Sequence, residues 1–264
     1  MFSHEIYSLT WSLKKRLRTT SIILLLLSLI EHVFSLISFL YDRYIQATKC
    51  KYNIDSYAYY LLTNQMGHIF AEVPINVFTS IWAEYTNISM TFAWSFTDLF
   101  IILLSISVAA KFELINQRLE FYRERIITES QWEEVRFHYV KVCELQSTVD
   151  DKLGNIICLA CLNDLYFVCL QLLNVATPLP FPINTFYYYF SLAFLIARTS
   201  TMFLVASSIH NESIKPLKVM RTIPNEGWFS STDRFSVQIF QDGPIAMSGK
   251  KFFYLTRDII ITIA

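Results

Sequence analysis

Five ionisable residues interrupt the long apolar runs of this chain: Glu31, His32, Asp98, Asp164 and Arg198. Asn163 and Gln171 add neutral polarity. An ionisable group inside an apolar helix is costly to bury, so each marks either a functional position or a paired structural one. Trp94 stands four residues before Asp98, and Gln171 seven after Asp164, so each pair shares a helix face. Carboxylates and amides supply acceptors and donors for hydroxyl groups, and an indole offers a flat apolar surface to a ring. Glu31, Trp94, Asp98, Asp164 and Gln171 are therefore candidate contacts to a polyhydroxylated ligand, with His32, Asn163 and Arg198 as supporting partners. The same residues also read as ion pairs between helices, either Asp164 with Arg198 or Glu31 with His32 and Arg198. Trp94 taken alone reads as packing.

No arrangement points to catalysis. There is no Gly-rich phosphate loop, no H-E-x-x-H and no G-x-S-x-G, and His4, His32, His68, His138 and His210 are scattered along the chain. An enzyme is not expected. Cys158 and Cys161 form a C-x-x-C, but inside an apolar run with no histidine beside it, which favours helix packing over redox chemistry or metal binding. The five cysteines show no secreted-domain disulfide pattern. Neither a metal nor a cofactor is expected.

The elements that must position these residues are apolar helices. Residues 90–110 carry a single charge, Asp98, and at about 1.5 Å per residue they span about 30 Å, enough to cross a bilayer. Lys111, Arg118, Arg123 and Arg125 follow, which places that end inside by the positive-inside rule. Asn87-Ile88-Ser89 at the other end is a glycosylation sequon, usable only outside. Residues 20–40 follow the basic cluster Lys14, Lys15, Arg16 and Arg18 and contain no small-residue cleavage site, so they predict a span from inside to outside rather than a signal peptide. On that helix Ser28, Glu31, Ser35 and Ser38 form one polar stripe.

Residues 41–84 predict an outer loop with short helices. Thr128 or Ser130 caps a helix that begins amphipathic and turns apolar over 153–176, ended by Pro178, Pro180 and Pro182. Residues 186–208 form the next span, with Tyr187, Tyr188 and Tyr189 as an interfacial belt. Residues 214–249 form an inner loop, where the second sequon at Asn211 is expected to stay unused. Residues 252–264 begin a further apolar helix and stop short of a crossing. Counted from the outer ends, Asp98 is about 12 Å deep, Gln171 about 9 Å, and Asp164 and Arg198 about 20 Å.

Composition agrees: 53% of residues are hydrophobic, 17% charged, and the mean hydropathy is +0.37. Soluble domains carry about 25% charged residues. A net charge of zero leaves no basic field for nucleic acid. The expected fold is an all-α polytopic membrane helical bundle, one transmembrane domain over residues 1–264, with four spans and the start of a fifth. A polytopic transporter is the alternative, although its broken half-helices would need more glycine or proline within the spans.

Several blocks resemble the insect gustatory receptors, and within them the sugar-receptor branch. They are Glu31-His32; Thr91 to Ile101, including Trp94-Ser95-Phe96-Thr97-Asp98; Phe112 to Leu119; Asn163-Asp164-Leu165-Tyr166-Phe167 with Gln171-Leu172; and Phe194 to Thr199. The last is Ala246-Met247-Ser248-Gly249-Lys250-Lys251-Phe252-Phe253-Tyr254-Leu255-Thr256-Arg257, close to the family's Ala-Leu-Ser-Gly-x-x-Phe-Phe-x-Leu-Thr-Arg. The resemblance runs in order along nearly the whole chain. It implies a seven-helix protein with a cytoplasmic N-terminus, of which these spans are helices three to seven. It further implies a homo- or hetero-tetrameric ligand-gated cation channel in the plasma membrane of taste neurons, its last helix lining the pore. A sugar would bind in the outer half of each subunit, at Glu31, Trp94, Asp98, Asp164 and Gln171. A non-sugar taste or odorant receptor is the neighbouring alternative. The family pattern continues past Ala264 and begins two helices before Met1, so the chain resembles a part of such a receptor.

Overall fold

The computed structural model describes residues 10–50, 67–123, 125, 127–241 and 243–258. The fold class is all-α. Helix α1 spans Trp11–Cys50, α2 Gly67–Phe70, α3 Val77–Tyr122, α4 Glu129–Asn174, α5 Pro182–Ser213, α6 Pro216–Met220 and α7 Ser230–Gln241. Among the described residues no strand forms, and the one isolated bridge pairs Ser248 with Tyr254.

Local chemistry sets the helix starts. Thr10 Oγ1 accepts from the Leu13 N–H at the head of α1. Asn76 and Thr79 satisfy each other's backbone N–H groups at 2.9 and 3.0 Å, and α3 starts at the next residue after Asn76. The Gln131 side-chain oxygen reaches back to accept from the Thr128 N–H at 2.9 Å and from its hydroxyl at 3.1 Å, the side-chain half of a capping box at the start of α4. Pro182 is the first residue of α5, where its missing N–H costs nothing.

The helices are longer than the spans expected from sequence. α1 continues to Cys50 and α3 begins at Val77, so both ends of the expected outer loop 41–84 are helical; residues 51–66 lie outside the described residues. α3 joins the 90–110 run and its charged extension without a break. α4 does the same for its amphipathic and apolar halves over 46 residues, about 70 Å of rise. The expected inner loop 214–249 holds α6, a 3-10 turn at Asn225–Gly227 and α7. The last helix begins at Arg257 rather than Phe252, because residues 252–256 are taken up by a turn. Its course from residue 259 on lies outside the described residues.

Among the described residues three helical stretches are long and apolar enough to cross a membrane: Trp11–Asp42, Glu129–Asn174 and Pro182–Met220. Almost none of the apolar stretch of α1 is buried inside the protein. Leu26, Leu29, Leu159 and Leu162 are more than half exposed, which water would penalise and lipid would not.

The chain divides into two compact units. The first comprises the chain up to Ile23, Asp98–Phe167 and the chain from Ala197 on. Tyr139 is its hub: it is fully buried, packs edge-on against Phe112 and Phe235 at 5.6 and 5.0 Å, and its hydroxyl donates to the Ser213 carbonyl at 3.0 Å. The second comprises Leu24–Thr97 and Val168–Ile196. There Phe34 packs edge-on against Phe186 and Phe190 at 5.3 and 5.4 Å, and Ser28 donates to Ser95 at 2.9 Å.

Candidate functional site

In the second unit Glu31 organises a polar row. Ser191 Oγ donates to Glu31 Oε1 at 2.9 Å, and the Tyr187 hydroxyl donates to the same oxygen at 3.3 Å. Gln171 Nε2 donates to Ser191 Oγ at 3.5 Å, and the Tyr188 hydroxyl donates to the Gln171 carbonyl. Ser191 is buried, whereas Glu31 and Gln171 are half-buried residues, although the Gln171 side-chain oxygen is itself buried. The Gln171 Oε1 has no hydrogen-bond partner. Trp94 is half-buried on the α3 portion of the same unit. His32 is also half-buried, and its Nε2 is buried without a partner; Glu31 is held by α5 and not by His32.

The geometry corrects one expectation here. Tyr187 and Tyr188 are hydrogen-bond donors turned into the protein, and only Tyr189, at 52% exposure, keeps the character of a belt residue. Ser191 went unremarked in sequence, yet Tyr187, Tyr188 and Ser191 follow the three-and-four spacing of one α5 face.

Asp98 and Asp164 lie in the first unit, with Arg198. Arg198 Nε is 2.7 Å from Asp98 Oδ2, and its Nη2 is 3.8 Å from Asp164 Oδ1. Thr199 Oγ1 donates to Asp164 Oδ2 at 2.9 Å. Asp98 is 1% exposed, Asp164 0% and Arg198 8%, so three charged groups from α3, α4 and α5 are sealed together. Asn163 is half-buried beside Asp164 on α4. Of the five expected ligand contacts, then, Glu31, Trp94 and Gln171 stand in one unit and Asp98 and Asp164 in the other.

A third polar cluster was not foreseen. Gln146, Asp150 and Gly154 recur every four residues on α4, and all three are buried. Asp150 Oδ1 accepts from the Ser248 N–H at 2.5 Å, and its Oδ2 accepts from the Ser248 hydroxyl at 2.7 Å. Gln146 Nε2 donates to the Ala246 carbonyl at 2.5 Å. Ser248 Oγ in turn accepts from the Lys251 N–H at 3.0 Å. Gly154 lies against the Lys250 backbone so closely that a Cβ would stand 3.2 Å from its nitrogen. Lys250 and Lys251 are both in the left-handed region, at φ 56 and 63°. The Asp151 carboxylate, 3.1 Å from Lys251 Nζ, holds that exposed ammonium above the ordinary lysine range. α4 thus clasps the Ala246–Leu255 turn that leads into the last helix. The sequence signal was the four-residue repeat itself.

Among the described residues no group of three or more His, Cys, Asp or Glu side chains is placed to hold a metal, and Cys158 and Cys161 are free thiols on α4.

The family described as trehalose receptor matches residues 1–264. The chain is 35% identical to the gustatory receptor for sugar taste 64a of Drosophila melanogaster over 96% of its own length and 56% of that protein. It is 33% identical to the gustatory receptor for sugar taste 64f of the same species, over 96% of this chain and 53% of that one. To the gustatory receptor 5a for trehalose it is 30% identical, over 95% and 55%. The chain spans about half the length of the relatives it matches.

Proposed function

The chain belongs to the trehalose receptor family, and from that premise we propose that it is part of a gustatory receptor subunit that binds a sugar and opens a cation channel. That family consists of receptors and not enzymes, and the apolar helices make this member a membrane protein. The observation that carries the sugar reading is the row Glu31–Ser191–Gln171. It sets a half-buried carboxylate and an amide with a spare acceptor among apolar helices. Such groups match the hydroxyls of a sugar, and the half-buried Trp94 indole supplies the apolar face that a pyranose ring needs. In this reading Asp98 and Asp164 tie α3, α4 and α5 together through Arg198 and do not touch the sugar. The subunit assembles as a tetramer in the plasma membrane of taste neurons, and the helix beginning at Arg257 lines the pore.

The experiment is a sugar dose–response of cation current in oocytes expressing a full-length receptor that carries this chain. Glu31→Gln and Gln171→Ala are each expected to raise the half-maximal sugar concentration about tenfold, from about 1.5 kcal/mol per lost hydrogen bond, with surface amount unchanged. If both variants reach the surface and respond like the parent, the row is structural. Saturable uptake of labelled sugar without current would make the protein a transporter instead.

Sidedness has its own test. In the proposed topology Asn87 faces outside and Asn211 inside. A glycosidase-sensitive mass that disappears in Asn87→Gln is expected; a glycan on Asn211 would reverse the assignment.

A further inference from the structure

A cavity of about 250 Å³ lies in the first unit between the end of α3 and the α5–α6 junction, lined by Asn116, Glu120, Arg123, Lys215, Lys218 and Val219. Three cations converge on it: Arg123 just past the end of α3, Lys215 at the α5–α6 junction and Lys218 on α6. Glu120 engages Arg123 at 2.7 Å and Glu212 engages Lys215, each at i,i+3 spacing. Neither pair exhausts its cation, since a guanidinium carries five N–H donors and an ammonium three. Among the described residues no carboxylate forms an ion pair with Lys218. The floor is held in place by Asn116, whose Nδ2 donates to the Glu212 carbonyl and carboxylate at 2.9 and 3.0 Å. That leaves the Asn116 Oδ1 buried with no hydrogen-bond partner.

We propose that this cavity binds a phosphorylated polyol. The cations take the phosphate oxygens, Arg123 with its planar fork and the lysines as point charges. The unpartnered Asn116 oxygen accepts from a hydroxyl of the ring. A bare anion would leave that acceptor unused, and an uncharged sugar would leave the cations unmatched. Two sources carry this chemistry: the headgroup of a phosphoinositide lipid and a free inositol phosphate. The lipid source rests on the topology under Proposed function, which puts Asn116 to Arg123 about 9 to 20 Å beyond the inner end of the 90–110 run, where basic pockets collect anionic headgroups. The anion chemistry itself does not depend on the sugar-receptor reading.

The test uses the chain in phosphatidylcholine nanodiscs, titrated with fluorescent inositol trisphosphate and followed by anisotropy. Saturable binding is expected, weakened about fivefold by Arg123→Gln or by Lys218→Gln and about thirtyfold by the two together. Arg123 and Lys215 are 48% and 49% exposed, so added salt should weaken binding in the parent as well. Lys141→Gln, which alters an exposed lysine on α4 away from the cavity, should bind like the parent. Phosphatidylinositol bisphosphate built into the nanodisc distinguishes the sources. If it displaces the soluble probe, the lipid headgroup is the occupant; if the probe binds undisturbed, the free polyol phosphate is. Absence of saturable binding, or equal binding by the parent and the double variant, would overturn the proposal. None of these readouts uses sugar or current, so a failure here leaves the receptor reading standing, and the converse also holds.

Discussion

Arg198→Met is expected to leave little folded protein. The substitution keeps length and apolar bulk, so it opens no large void; what it removes is the cation that Asp98 and Asp164 share at 2.7 and 3.8 Å. Both carboxylates are almost wholly buried, and the Thr199 hydroxyl donates to Asp164. Breaking a buried pair by removing one partner costs about 3–5 kcal/mol, because the remaining charge is left without compensation. A whole domain has only about 5–15 kcal/mol of stability. Fluorescence-detected size exclusion should therefore show the monodisperse peak of the parent reduced or lost. Arg198→Lys, which keeps the charge but not the fork, should fall between. A cycle separates lost pairing from lost packing. If the carboxylate left unpaired is the cause, Asp98→Asn in the Arg198→Met background recovers part of the peak although two polar groups have now been changed. A coupling energy above about 1 kcal/mol in that cycle is the expected result. An Arg198→Met protein that elutes and melts like the parent would mean that this cluster holds nothing together.

The same cluster shows what could be read from sequence and what could not. Asp98, Asp164 and Arg198 stood out because each is a charge in an apolar run, and helical spacing put them on definite faces. Arg198's choice of Asp98 and Asp164 over Glu31 depends on which helices become neighbours, which periodicity along one helix does not contain. Glu31 shows the same limit: its partners Tyr187 and Ser191 are more than 150 residues away, and a run of three tyrosines at the end of an apolar helix looks like a membrane belt until a carboxylate is placed against it. The helices were legible wherever composition changes sharply, as in α4, whose amphipathic half and apolar half form one rod. They were less legible at the ends of α1 and α3. There residues 41–84 read as a loop with short helices, and the reciprocal Asn76–Thr79 cap that begins α3 is a short signal within it. The Asp150 clasp escaped notice for a related reason. It lies in the polar half of α4, where a carboxylate reads as one more solvated charge; only the repeat Gln146, Asp150, Gly154 distinguishes it from its neighbours.

Asp150→Ala is expected to release the turn between Ala246 and Leu255. The two oxygens of Asp150 satisfy a backbone N–H and a hydroxyl of one buried residue, Ser248, at 2.5 and 2.7 Å. Charge-assisted bonds of this kind contribute about 1.5–3 kcal/mol each, and the donors would otherwise be buried unsatisfied. They also offset a local cost: Lys250 and Lys251 both sit at positive φ, which disfavours a side chain by about 1–2 kcal/mol per residue. Such strain persists only where the surroundings over-determine the backbone. With Asp150 gone, the Gln146 bond, the backbone bonds within the turn such as Leu255 N–H to the Met247 carbonyl at 2.8 Å and Gly249 N–H to the Phe253 carbonyl at 3.1 Å, and the exposed Asp151–Lys251 pair remain, but none of them ties Ser248 to α4. The loss should appear where the strain is stored. Lys250 and Lys251 are exposed trypsin sites held in a conformation a protease cannot use, so cleavage there reports the opened population of the turn. About 3 kcal/mol of destabilisation corresponds to about a hundredfold faster cutting. Ser248→Ala keeps the backbone N–H on Asp150 and should give a smaller increase. Gly154→Leu leaves Asp150 intact but drives a side chain into the Lys250 backbone, and should loosen the turn from the other side. Trypsin cutting in Asp150→Ala at the parent rate would show that the turn stands without its clasp. Faster cutting in all three, graded in that order for the two polar changes, would show that α4 holds the entry to the last helix through this one carboxylate.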